Sequence, residues 1–412
     1  MSDRVVVLGG CGGIGSVAVR ALVAGDRFDE IVVADLRVDA AQAFVDELGD
    51  PRLRAAEVDA TSAEAIGGLV AGARVVVNCI GPFYRFGPPI LAAVIAAGVD
   101  YVDVCDDLDA TIAMLDQHEP AVAAGVTALI GMGNSPGLAN VLVRFAADEL
   151  LDTVERVDIM HIHGGEPSEG GAVIKHRIHA MTNDVPVFVD GEFRNVRLLE
   201  ESGQEFVVDT HFESVGTYPV YPYPHPETIT LPKYLPGLTH ATNRGVVFPL
   251  SYFELTMDMV RVGACSTEQI EVEGQLVTPI EFSVAHILSQ RDRLLAEAGI
   301  TGAAGCLKIE VGGQKDGEDH TFVFSLSSTS VGAGEGTGIP AALGAVMMAS
   351  GQLEGPGVFP PEAVVKPLEI LDLASRIVPK LGIAGSDDGG ALPVLIEHVL
   401  PDGTRERMDL AF

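Results

Sequence analysis

The chain has 412 residues, 47% hydrophobic and 20% charged, and its formal net charge of −32 comes with no clustered basic stretch, which excludes a disordered chain and a nucleic-acid-binding protein. No apolar run reaches membrane-spanning length, and Met1-Ser2-Asp3-Arg4 leads directly into an apolar segment with no signal-peptide pattern, so a cytoplasmic protein without a membrane partner is expected. The five cysteines, Cys11, Cys79, Cys105, Cys265 and Cys306, are scattered and include no CxxC pair, which points to buried free thiols and no metal centre.

Residues 4–150 alternate strand and helix patterns. Strands are expected at 4–8, 30–35, 53–58, 75–80, 101–104 and 127–130, and helices at 14–23, 40–48, 62–70, 88–97, 108–123 and 136–150. Unbroken Val and Ile runs suit strands buried on both faces, so the class is α/β with a doubly wound parallel sheet. Gly10-Cys11-Gly12-Gly13-Ile14-Gly15 fits G-x-G-x-x-G, follows the first strand and opens the first helix, and Asp35 ends the next strand 20 residues after Gly15. This is the Rossmann fingerprint: Gly10 for the tight turn, Gly12 for approach of the pyrophosphate, Gly15 for helix–strand packing, and the helix N-terminus for the diphosphate. Asp35 favours NAD through the ribose hydroxyls, while Arg37 leaves NADP possible. Asp59 follows the third strand and either meets the adenine edge or joins Thr61 and Ser62 in capping a helix. Asn78, Gly81 and Pro82 end the fourth strand at the carboxyl edge, where ligands lie in open α/β sheets.

After residue 150 the texture changes. Strands are expected at 154–163, 185–189, 205–208 and 228–231, and the six prolines within 216–237 argue against a regular helix there. Helices at 249–262 and 279–297, each opened by a proline, and a strand pair at 308–312 and 320–330 complete an α+β second unit. Helices at 338–350 and 361–378 follow, then a hairpin of 392–399 and 405–410.

The glycine loop, Asn78-Cys79-Ile80-Gly81-Pro82-Phe83-Tyr84 with Gly87, Gly98-Val99-Asp100-Tyr101-Val102-Asp103, and Gly131-Met132-Gly133-Asn134-Ser135-Pro136-Gly137-Leu138-Ala139-Asn140 resemble the saccharopine dehydrogenase-like family. Thr337-Gly338-Ile339-Pro340-Ala341-Ala342 and Gly357-Val358-Phe359-Pro360-Pro361-Glu362 resemble its C-terminal segment. The resemblance implies a Rossmann domain over 1–135, an α+β substrate and dimerisation domain over 136–335, and a C-terminal part over 336–412 that packs back on the first domain. It also implies a homodimer and NAD(P)-linked hydride transfer at a carbon–nitrogen bond of an amine or amino acid. An NADPH-dependent imine or enoyl reductase, and a nucleotide sensor without turnover, remain alternatives.

Such chemistry needs a group to manage the amine proton. Tyr84, Asp103 and Asp107 follow the fourth and fifth strands and are candidates, with Asp106-Asp107 equally readable as a solvated pair or helix cap. Ser135, beside Asn134, either caps the next helix or meets the carboxamide or substrate. Lys175, His176, Arg177 and His179 cluster. If 174–178 is a strand, Lys175 and Arg177 share one face for a substrate carboxylate and His176 takes the other for proton transfer. His161 and His163, with only Glu166 and Glu169 nearby, are rejected as a metal site. His225 and Glu227 sit in the proline-rich stretch, where a lid is conceivable.

Overall fold

A computed structural model describes residues 3–166, 169–213, 215–328, 333–353, 355–382 and 394–408. The first part runs β1 (Arg4–Leu8), α1 (Gly15–Gly25), β2 (Glu30–Asp35), α2 (Val38–Leu48), β3 (Leu53–Glu57), α3 (Ala63–Val70), β4 (Val75–Asn78), α4 (Phe83–Ala96), β5 (Asp100–Asp103), α5 (Leu108–Leu115), α6 (His118–Ala124), β6 (Thr127–Leu129) and α7 (Leu138–Phe145). The second runs β7 (Thr153–Gly164), α8 (Gly171–Thr182), β8 (Val185–Val189), β9 (Glu192–Val196), α9 (Glu201–Gln204), β10 (Val208–Phe212), β11 (Gly216–Pro222), α10 (Glu227–Tyr234), β12 (His240–Phe248), α11 (Leu250–Arg261), β13 (Ile270–Val272), β14 (Gln275–Val277), α12 (Pro279–Glu297), β15 (Ala304–Lys315) and β16 (Glu318–Ser328). The chain closes with α13 (Ala333–Ala349), β17 (Gly357–Phe359), α14 (Pro361–Val364), α15 (Pro367–Ile377), β18 (Val394–Val399) and β19 (Arg405–Met408).

The first sheet is parallel, in the order β17-β6-β5-β4-β1-β2-β3. Its central strands are buried on both faces, Val5, Val6, Val7, Val75, Val76 and Val77 completely, as their unbroken apolar runs require. Parallel pairing sends every strand's carboxyl end to one edge. The second sheet is mixed, in the order β10-β11-β12-β7-β15-β16-β18-β19, with β8 and β9 attached to β12. The closing segment serves both sheets. β17 extends the first beside β6, while the terminal hairpin β18–β19 pairs with β16 of the second instead of packing on the first.

Several elements depart from expectation for identifiable reasons. Residues 174–178 are helical within α8, whose buried Ile174, Arg177, Ile178 and Met181 recur at helical spacing. Residues 228–231, a β-branched run, are helical in α10, which begins after Pro226 and contains Pro232. Burial of Thr228, Thr230 and Leu231 overrides their propensity. The strand expected at 205–208 begins at Val208 instead. Pro120 lacks the N–H a continuous helix would need and separates α6 from α5, and Pro367 likewise opens α15 after α14. Helix α7 starts only at Leu138, capped by Gly137, so Ser135 is not its cap. Residues 392–393 and 409–410 of the expected hairpin lie outside the described residues.

The glycine loop divides its labour differently from the simple assignment. The left-handed turn falls on Gly9, at φ +74°, while a Cβ on Gly10 would approach Val33 Cγ1 to 2.9 Å. At Gly15 a Cβ would lie 2.1 Å from the Gly9 carbonyl oxygen. Backbone cannot yield there as a flexible side chain can, so α1 reaches β1 only because residue 15 has no side chain. Gly15→Ala is therefore expected to lower the unfolding free energy by about 1–3 kcal/mol and abolish dinucleotide binding. Thermal unfolding with and without NAD checks both, and an unchanged affinity would contradict the assignment.

Candidate functional site

The edge of the first sheet begins with the glycine loop. The Gly9 and Gly10 amides both donate to the Ala34 carbonyl of β2, at 2.8 and 3.0 Å, and the Gly12 amide donates to the Gly9 carbonyl at 3.0 Å. This folds the loop over the start of α1, where the Ser16 amide donates to the Gly12 carbonyl at 2.9 Å and the Ala18 amide to the Ile14 carbonyl at 3.0 Å, so the donors left for a ligand are the loop amides ahead of them. Gly12 carries no side chain over the loop, and a Cβ on Gly13 would meet nothing. The cradle thus has backbone donors and room for a diphosphate. Asp35 closes it. Its carboxylate accepts the Arg37 amide at 3.0 Å, and the Arg37 guanidinium stays 71% exposed with Nε 3.7 Å away. Asp59 is taken up locally, accepting the Thr61 amide at 2.9 Å, and the Ser62 hydroxyl caps α3 by accepting the Ala65 amide. These residues fit a nicotinamide dinucleotide.

Farther along the edge the loops after β4 and β5 meet α8. Asp107, 3% exposed, accepts the Tyr84 amide at Oδ2 (2.9 Å) and pairs through Oδ1 with His176 Nδ1 (2.9 Å). The Asp106 carboxylate stands 3.7 Å from His176 Nε2. Burial alone would lower the imidazole's affinity for protons, but the two carboxylates outweigh it and push His176 up to about 9. One turn on, His179 pairs with Asp109 at 3.3 Å and stacks on the Tyr84 ring with centroids 4.5 Å apart. Asp106, Asp107 and His176 offer ligand atoms within 4.8 Å of one another. As it stands the group is a charge pair, with His176 Nδ1 on Asp107 Oδ1 at 2.9 Å.

The sequence of residues 5–129 matches the model of the saccharopine dehydrogenase NADP binding domain. The chain is 26% identical over 374 residues to a carboxyaminopropylagmatine dehydrogenase of Synechocystis, covering 86% of this chain and 91% of that one. It is 24% identical over 393 residues to a carboxynorspermidine synthase of Vibrio cholerae, covering 85% and 90%. Its fold is that of apo saccharopine dehydrogenase (L-Glu forming) from Saccharomyces cerevisiae, with TM-score 0.63, 15% identity, and coverage of 90% and 96%. Residues 5–129 are a saccharopine dehydrogenase-type NADP binding domain. The chain is accordingly an NAD(P)-linked oxidoreductase.

The other candidates separate into working surface and support. Asp103, fully buried, accepts the Cys105 amide at 3.0 Å and the Gly131 amide at 2.7 Å, lashing the β5 and β6 loops together from behind. Burial pushes it up to about 6 against those bonds. Asn78 is also support, donating to the Tyr101 hydroxyl and accepting the Ile80 amide. Gly81 and Pro82 lead into α4 at the rim. Because 174–178 is helical, the expected faces change: Lys175 points outward to Glu281 at 2.7 Å, while Arg177 is buried against Glu169 at 2.5 Å and over the Tyr252 ring. Ser135 donates its hydroxyl proton to Glu227 of α10, and Asn243 of β12 lies 3.4 Å from both.

Sequence reasoning missed Tyr223, Asn243 and the Asn140–Glu362 contact at 2.7 Å. Tyr223 packs edge-on against His161 and His225, which stack at 5.0 Å. The His161 ring lies flat on Gly245, whose Cβ would come within 2.0 Å of it. The alternation of β12 was the available signal, since Asn243 and Gly245 share a face, but only the parallel pairing of Gly245 with His161 brings that face to the site.

His176 gains its proton affinity on folding, so the pairing stabilises fully below its ordinary value of 6.5 and is lost as pH rises through about 9. Asp107→Asn should return the imidazole titration toward 6.5 and cost about 2 kcal/mol at pH 7, with the difference vanishing above pH ~10. Imidazole NMR titration and melts across that range check this.

Proposed function

We propose that the chain makes or breaks a secondary amine that carries a carboxylate, by NAD(P)-linked hydride transfer at the carbon–nitrogen bond. The observation that carries the reading is the His176–Asp107 pair at the carboxyl edge of the first sheet, where a Rossmann domain presents its nicotinamide. When bound, the nicotinamide supplies or accepts the hydride. His176, held as the acid by Asp107 and Asp106, delivers the proton that an imine nitrogen requires on reduction and takes it back on oxidation. Tyr84, fixed by its amide on Asp107 and its ring on His179, forms the adjoining wall.

Arg177 supplies the anion-binding group. It is 2% exposed, one carboxylate holds it, and its buried Nη1 has no hydrogen-bond partner. A free guanidinium N–H beside the proton donor suits a substrate carboxylate. The printed names of the two relatives, carboxyaminopropylagmatine dehydrogenase and carboxynorspermidine synthase, support an amine with that substituent. Lys175 serves the rim through Glu281. Asp35 favours NAD, and the exposed Arg37 leaves NADP as the alternative cofactor. We take the second sheet and its helices as the substrate part of a cytoplasmic homodimer. The exposed Ile270, Val272 and Leu276 of the two-stranded hairpin β13–β14 support it, because a lone hairpin is marginal in water unless something covers it.

Two experiments test the reading. NAD and NADP are titrated, and absorbance at the reduced-nicotinamide band is then followed across carboxylated amines and amino acids. Turnover is expected only with substrates bearing both groups. Arg177→Ala should raise KM for them roughly 10- to 100-fold, and Asp35→Ala should shift preference toward NADP. Equal turnover of amines lacking a carboxylate would overturn the Arg177 assignment, and no binding of either dinucleotide would sink the whole reading.

A further inference from the structure

Behind the His176–Asp107 pair lies a second concentration of buried polar atoms. Four buried polar atoms that lack a well-formed hydrogen bond belong to one locus: His161 Nε2 and Asn243 Oδ1, whose side chains interact with each other, and His225 Nδ1 and Glu227 Oε2, 3.6 Å apart. Glu227, 1% exposed, is its anion. Oε1 accepts the Ser135 hydroxyl and faces the Asn243 amide nitrogen at 3.4 Å, while Oε2 faces His225 Nδ1 at 3.6 Å, beyond hydrogen-bond reach. Burial and the neighbouring imidazoles keep His161 well below its ordinary value, so it brings no charge. No Lys or Arg pairs with Glu227 among the described residues.

A buried carboxylate with only a hydroxyl and an amide within hydrogen-bond reach is costly to keep ionised. Asp107 has an imidazolium as partner, and Asp158, elsewhere on the second sheet, has Arg244 at 2.8 Å and Arg156 at 2.5 Å. Glu227 has no Arg or Lys among the described residues, and His225 stands off at 3.6 Å. Its route to the site runs through Ser135, half-buried in the loop that leaves β6 at the same edge as His176. The hydroxyl donates to Glu227, and its oxygen, which the Asn243 amide nitrogen approaches at 3.4 Å, keeps a second lone pair for an N–H donor. His176 cannot host a cation, being one itself.

We propose that Glu227, acting through the Ser135 hydroxyl, is the counter-anion for the positively charged nitrogen, iminium or ammonium, of the substrate. Ser135 touches that nitrogen, and Glu227 is a positioning residue. The site therefore sorts a zwitterionic ligand by charge, with the carboxylate toward Arg177 and the nitrogen toward Ser135 and Glu227. The inference rests on the amine reading above.

The test is calorimetric titration of the NAD-saturated protein with 1,4-diaminobutane, a cation without a carboxylate, and with glutarate, an anion without nitrogen. Glu227→Gln keeps the shape and the acceptor for Ser135 while removing the charge. It should weaken diaminobutane roughly 10- to 100-fold and change glutarate by less than about threefold. Ser135→Ala should likewise weaken diaminobutane and spare glutarate, and it decides the matter if Glu227→Gln does not fold. Unchanged diaminobutane affinity in both variants overturns the proposal, as does an equal loss of both ligands. If the wild-type protein binds glutarate but no diaminobutane, this proposal is overturned, while the amine reading stands or falls separately on turnover of carboxylated amines.

Discussion

The Asp107 carboxylate is the interaction on which the site depends. One oxygen fixes the first turn of α4 through the Tyr84 amide, the other fixes α8 through His176, and Asp107 itself sits in the loop after β5. Three segments distant in sequence thus converge on a single buried group. Its charge is tolerable there because an imidazolium matches it, and the imidazolium persists near neutrality because the carboxylate is there. Each makes the other's ionisation possible. Repetition of the pattern one helical turn on, in Asp109 and His179, orients α8 along the edge rather than pinning it at one point.

The buried acids show how partner supply sets proton affinity. Asp158, with two guanidinium groups, His240 and Thr242 around it, is held far below the ordinary carboxylate range. Asp103 has only backbone amides as firm partners, and burial raises it to about 6. Glu362, held by the Asn140 amide, rises to about 7. Neutral donors soften the desolvation cost without cancelling it, whereas full charges reverse it. Asp103 therefore ties the β5 and β6 loops, and Glu362 ties α14 to α7, each at a desolvation cost that its neutral donors only partly offset.

The first sheet was legible because its signals are local. A Val-Val-Val strand, a glycine loop and an acidic residue 20 positions on all lie within 35 residues, and the observed strands of that sheet follow them closely. The second unit was less legible, since its elements are defined by what they pack against. The Thr-Ile-Thr-Leu run of α10 reads as a strand until Thr228, Thr230 and Leu231 are seen to be buried together in a helix. The same limit applies to the site. Tyr84, Asp107 and His176 were visible as residue types near an edge, but their meeting required α8 to be a helix. Asn243 gave no signal of its own, because its role follows from the pairing of β12 with β7.

The net charge of −32 places one further constraint on this architecture. Its long-range field opposes both the diphosphate of the cofactor and a substrate carboxylate. Anion binding must therefore come from short-range groups that solvent does not screen. Those present are the loop amides ahead of α1, reached because Gly15 lets the helix close on Gly9, and the buried Arg177 guanidinium. A cationic nitrogen, by contrast, is drawn by the same field toward the site. Selectivity for a molecule bearing both charges then does not need a deep apolar pocket. On the proposed reading it follows from opposite charges, Glu227 on α10, relayed by Ser135 at the first sheet's edge, and Arg177 on α8.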